Sequence, residues 1–128
     1  MARLWLVLAA ANGFLAVALG AFGAHGLKKM LEAVPDGAQR LDWWQTAAHY
    51  HLAHALALGL VAALAPHAAG RLPAVAGWLL LAGIALFSGS LYTMTLTGVR
   101  ALGAVTPVGG VCLLGGWLAV LAAAAKLR

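Results

Sequence analysis

The residues best suited to metal ligation or proton transfer in this sequence are its five histidines. Four of them, His25, His49, His51 and His54, share one stretch with all three acids, Glu32, Asp36 and Asp42. On a helix, His51 and His54 lie about 60° apart with Tyr50 on the same side, while His49 points elsewhere. His25 closes one apolar run and His51 and His54 open the next, so all three are expected near one side of a membrane. A metal ion or haem iron bridging His25 to His51 or His54 is the sharpest chemistry this pattern offers. The pattern lacks carboxylate or cysteine support, and no H-E-x-x-H spacing accompanies it. Hydrogen bonding of the imidazoles between helices or to lipid headgroups is the favoured alternative.

A second constellation is made of hydroxyls and one amide. Ser88, Ser90, Tyr92, Thr93, Thr106 and Asn12 can line a small-molecule pocket or a pore, or can hydrogen-bond between helices. Ser88, Tyr92 and Thr95 share one helical face, and Ser90, Thr93 and Thr97 nearly the opposite one, which predicts contacts on two sides. Interhelical bonding is again favoured. No acid lies inside an apolar run, which argues against a carboxylate-driven proton or cation relay. Tyr92 and Ser88 have no base within one turn, and the phosphate-loop, nucleophile-elbow and c-type haem motifs are missing. The lone Cys112 excludes an intrachain disulfide and a cysteine cluster. No catalytic residue is assigned and no cofactor is expected.

The elements that must position these groups are apolar. Hydrophobic residues make up 64% of the 128 and charged residues 9%, against about 25% charged in a typical soluble domain. A soluble chain of this size cannot bury that much apolar surface. The expected solvent is a lipid bilayer, and the length allows one domain. The formal charge of +5 comes from cations at or near the ends of apolar runs, where they meet headgroups. Nucleic acid is therefore not an expected partner.

Four spans are expected, at 4–24, 46–65, 73–97 and 106–125. The first is an uncharged run of roughly 32 Å if helical, longer than a signal-peptide core. Gly13, Gly20 and Gly23 share a face there with Ala9, Ala16 and Ala24, a stripe that permits close helix approach. Gly26 to Ala33 carries Leu27, Met30 and Leu31 at i, i+3, i+4 and is expected as a short amphipathic interfacial helix. Asp42 and Gln45 resemble the ends of a capping box opening the second span, beside the interfacial pair Trp43 and Trp44. Thr106 as cap and Pro107 at the first position open the fourth. Four crossings put both termini on one side and divide the cations four against four, so the positive-inside rule gives no orientation.

The blocks Gly20-Ala21-Phe22-Gly23-Ala24-His25-Gly26-Leu27, Tyr50-His51-Leu52-Ala53-His54-Ala55-Leu56, Phe87-Ser88-Gly89-Ser90-Leu91-Tyr92 and Thr106-Pro107-Val108-Gly109-Gly110 resemble the domain of unknown function numbered 423. The resemblance implies a small four-helix protein of the bacterial inner membrane, in a family with a eukaryotic transmembrane relative. It singles out His25, His54, Ser88, Ser90, Tyr92, Thr106 and Pro107 without implying an activity. The fold expected is an all-α integral membrane bundle. Its function is expected to be that of a non-enzymatic homo-oligomeric channel, small-solute carrier or scaffold. The alternative is a metal- or haem-binding redox protein using His25, His51 and His54.

Overall fold

The structure is a computed structural model that describes residues 1–127. Arg128, expected at the interface end of the last helix, lies outside the described residues. Among the described residues, four helices are long and apolar enough to cross a membrane. We label them α1 (Ala2–Leu31), α2 (Gly37–Leu64), α3 (Leu72–Thr97) and α4 (Thr106–Ala124). A 3-10 turn, Arg100–Ala104, precedes α4. Among the described residues the only sheet-like pairing is an isolated antiparallel bridge between Ala68 and Leu127.

The order of packing is set by small residues. α1 lies along α2, α2 packs against α3, and α4 lies along α3. Gly20 faces Ala48, Gly59 faces Ala9, and the Trp44 ring lies directly over the backbone of Gly23. On the other side of the array, Gly83 receives Leu113, Gly116 receives Leu80, and Gly109 lies against the backbone of Phe87. At Gly23, Gly83, Gly109 and Gly116 a Cβ would collide with the neighbouring helix, whereas at Gly20 and Gly59 it would make only an ordinary contact; close approach of this kind is why membrane helices use glycine. The centre is filled by Trp5, Leu58, Val61, Ala76 and Leu80, all fully buried. Trp5 reaches from α1 across to α3, its ring against Gly77 and edge-on to Trp78, with centroids 5.2 Å apart.

Several local expectations are corrected. The segment expected as a separate interfacial helix is helical, but it continues α1 through a wide π-type turn at Gly23–Leu27. That turn sits where Trp44 enters the helix surface and donates its indole N–H to the Leu19 carbonyl at 2.7 Å. Insertion of a side chain into the backbone ladder is a recognised cause of such turns. Trp44 is therefore buried within the helical array. α2 begins at Gly37 instead of at an Asp42 cap. Gly37 fits under the Leu31 carbonyl, where a Cβ would collide, so the turn from α1 closes tightly there. Asp42 lies inside the helix and is exposed. Thr106 makes no cap bond, because its hydroxyl is paired with Ser90 across the helix interface.

The array has two chemically different ends. One carries Asp36 between two arginines, with Arg40 Nε 3.3 Å from Oδ1 and Arg100 Nη2 3.4 Å from Oδ2. Arg100 also donates to Gln39 at 2.8 Å and lies over the Trp43 ring, 5.3 Å from its centroid. This ties the turn before α4 to the start of α2. The other end carries Arg3, Arg71 and Lys126, all exposed. There the bridge between Ala68 and Leu127 closes the chain end onto the turn between α2 and α3.

Candidate functional site

Two polar knots lie within the helical array, each built on one of the α2 histidines. His51 and His54 are both buried, at 5% and 7% exposure. In the first knot, the Asn12 amide N–H donates to the Leu8 carbonyl at 2.8 Å, which fixes the amide with its oxygen toward α2. That oxygen lies 3.0 Å from His51 Nε2, and the Tyr92 hydroxyl lies 3.1 Å from His51 Nδ1. Since the amide oxygen only accepts, Nε2 carries the proton, and Nδ1 accepts from the tyrosine hydroxyl. One ring thus joins α1, α2 and α3. Trp44 packs edge-on into the same knot, its ring centroid 4.6 Å from that of Tyr92.

The second knot has the opposite tautomer. His54 Nδ1 lies 2.7 Å from the Tyr50 carbonyl, an acceptor, so Nδ1 carries the proton. Its Nε2 accepts from the Trp117 indole N–H at 3.1 Å. Tyr50 stacks on the His54 ring with an interplanar angle of 11°. A cleft of about 530 Å³ opens beside this knot, lined by Tyr50, His54, Phe87, Pro107, Val111 and Trp117 among others. Its wall is almost wholly hydrocarbon.

The α3 hydroxyls divide between neighbours. Ser88 donates to the Ala47 carbonyl at 2.8 Å, and Thr95 donates to the Arg40 carbonyl at 3.0 Å, both on α2. Ser90 pairs with Thr106 of α4 at 2.6 Å and also reaches the Phe87 carbonyl at 2.9 Å. Thr93 and Thr97 are exposed and bond back to the Gly89 and Thr93 carbonyls. This back-bonding is how hydroxyls are tolerated in hydrocarbon. Asn12, Ser88 and Tyr92 border one cleft of about 250 Å³ with His51. Ser90, Thr93 and Thr106 do not border it. The six residues therefore do not surround a common lumen.

The metal set His25, His51 and His54 is not brought together. His25 is exposed on α1, His51 turns toward α1 and α3, and His54 turns toward α4. The ring nitrogens of both buried histidines are already engaged by protein groups, so neither offers a free lone pair to a metal. Among the described residues no group of three or more His, Cys, Asp or Glu side chains is placed to hold a metal ion. Two structural partners escape a reading of spacing alone. Trp117 is 63 residues from the histidine it serves, and Trp44 is 25 residues from the carbonyl it reaches. Only the three-dimensional arrangement reveals either pair.

The comparisons with known proteins agree with this architecture. The family model described as "Protein of unknown function (DUF423)" matches residues 19–110. The chain is 46% identical over 125 residues to the UPF0382 membrane protein YwdK of Bacillus subtilis, covering 97% of this chain and 98% of that one. It is 43% identical over 130 residues to the UPF0382 inner membrane protein YgdD of Escherichia coli, covering 98% and 92%. A membrane protein of Staphylococcus saprophyticus is 39% identical over 98% of this chain and 99% of its own. No solved structure matches the chain. With four helices among the described residues that can each cross a bilayer, and relatives named as membrane proteins matched over 92% or more of their length, the chain is a multi-pass membrane protein and belongs to the DUF423 family.

Proposed function

We propose that this protein is a non-enzymatic membrane scaffold that works as a homo-oligomer, in the inner membrane like its Escherichia coli relative. The observation that carries this reading is the engagement of every ring nitrogen of His51 and His54 by Asn12, Tyr92, Trp117 and the Tyr50 carbonyl. Groups poised for catalysis or metal binding keep a lone pair or proton facing a ligand. These four nitrogens face protein, and three of them tie the four helices together, while His54 Nδ1 bonds within its own helix. The same holds for Ser88, Ser90 and Thr95. With fully buried Trp5, Leu58 and Leu80 filling the middle, the interior of one chain favours packing over an aqueous path.

Self-association is supported by α1. Of its apolar window only 11% is buried within the chain, against 44% for α2 and α3. Phe14, at 75% exposure, marks its outward face. In a bilayer that face meets lipid or a second copy, and closed symmetric pairing is the commonest form of self-association. The test uses purified protein in lipid nanodiscs: metal analysis, visible absorbance, cross-linking and solute flux after transfer to vesicles. The scaffold reading expects a colourless, metal-free protein that cross-links as more than one copy and passes no small solute. A haem band or stoichiometric metal lost on His54→Ala would replace it with the redox reading. Flux of a small solute would replace it with a channel or carrier.

A further inference from the structure

We propose that the groove along the first turns of α3 binds an anionic phospholipid, its phosphate at Arg71 and one acyl chain laid along Val75, Trp78 and Leu79. The open groove has a volume of about 630 Å³ and is lined by these residues together with Met1, Gly70 and Ala74. Their spacing of i, i+4, i+7 and i+8 puts a cation at the mouth and apolar side chains below it on one helical face. From Arg71 to Leu79 the helix rises ~12 Å, close to the depth of one leaflet of hydrocarbon. Gly70 adopts φ +85°, the left-handed turn that sets Arg71 at the head of the helix. Trp78 is 54% exposed, yet its ring is held edge-on by the fully buried Trp5, so the wall of the groove is rigid before a lipid arrives.

Charge complementarity selects the headgroup. Arg3, Arg71 and Lys126 gather at this end without an acid among the described residues, and the bridge from Ala68 to Leu127 brings Lys126 to the turn that bears Arg71. Glu32, Asp36 and Asp42 all lie toward the opposite end, where Asp36 takes both Arg40 and Arg100. Arg71 has no ion-pair partner among the described residues. A cation near an anionic lipid surface favours binding by about fivefold. A zwitterionic lipid offers the same chains to the groove without that net attraction.

Delipidated full-length protein in neutral detergent, titrated with phosphatidylglycerol or phosphatidylcholine and read by native mass spectrometry, tests the site. Phosphatidylglycerol is expected to bind at about fivefold lower concentration than phosphatidylcholine. Arg71→Gln should reduce that preference, Arg71→Lys should keep it, and Arg100→Gln at the far end should leave it unchanged. Val75→Trp, which fills the groove, should weaken both lipids. Inorganic phosphate in large excess should not displace phosphatidylglycerol. Equal binding of the two lipids, an unchanged preference in Arg71→Gln, undiminished binding in Val75→Trp, or displacement by free phosphate would each overturn the proposal. Thermal unfolding of each variant separates lost binding from lost folding, and Arg71, being exposed, is replaceable without disturbing the core.

Discussion

His51 and His54 sit three residues apart on one helix and hold opposite tautomers because their fixed partners differ in kind. An amide oxygen forces the proton onto Nε2 of His51, and a backbone carbonyl forces it onto Nδ1 of His54. Buried polar side chains in membrane proteins contribute modestly per bond, about 0.6 kcal/mol on average and up to about 1.7. A double-mutant cycle of His51→Phe and Tyr92→Phe, followed by unfolding in mixed micelles, should therefore give a coupling in that range. Trp117→Phe removes the donor to His54 and leaves a buried acceptor unpaired, so a loss of about 1 kcal/mol is expected in the same assay. His25→Ala changes an exposed residue and should stay within about 0.5 kcal/mol of the parent. At this scale the sequence tells which residues are polar in an apolar setting, and Asn12, His51, His54, Ser88 and Tyr92 were all legible as such. Their partners were not, because hydrogen bonds between positions 39 to 63 residues apart leave no periodic trace.

The helices themselves are written in hydropathy, and their termini are written elsewhere. An uncharged run fixes where a chain can lie in hydrocarbon, so the four segments are plain from composition. Where α2 starts depends on Gly37 closing under the Leu31 carbonyl, a contact between residues outside the apolar run. The wide turns at Gly23–Leu27 and Ile84–Ser88 are likewise invisible in a pattern of apolar residues. Both occur where a neighbour presses on the helix: Trp44 over Gly23 in one case, and Gly109 against Phe87 in the other. This makes glycines unequal in a way substitution can read. Gly109→Ala drives a methyl into the Phe87 backbone, which cannot swing aside, and should cost about 1–3 kcal/mol or prevent folding. Gly13 has nothing within 4 Å of a Cβ, so Gly13→Ala should be neutral or should stabilise by up to about 1 kcal/mol through helix propensity. Thermal melting of the two variants side by side checks both.

Across the whole molecule, α2 and α3 form the middle, α1 and α4 the flanks, and polar bonds between side chains stitch all four together. The ends add little by comparison. Asp36 pairs with both Arg40 and Arg100 but is 34% exposed and Arg100 58%, so Asp36→Asn should cost less than about 1 kcal/mol, and less still in high salt. The balance of cations read from the sequence conceals an asymmetry that the fold makes plain: two of the four at one end share a carboxylate, while those at the other stand free of acids among the described residues. At the heart of the molecule the two buried α2 histidines are neutral cross-links with every ring nitrogen engaged. Nitrogen-15 NMR of selectively labelled histidine in lipid tests this most directly. Two buried resonances of opposite tautomer are expected, protonated on Nε2 for His51 and on Nδ1 for His54, each assigned by its loss in His51→Phe or His54→Phe. Two identical tautomers, or a metal-shifted or doubly protonated ring at either position, would contradict this.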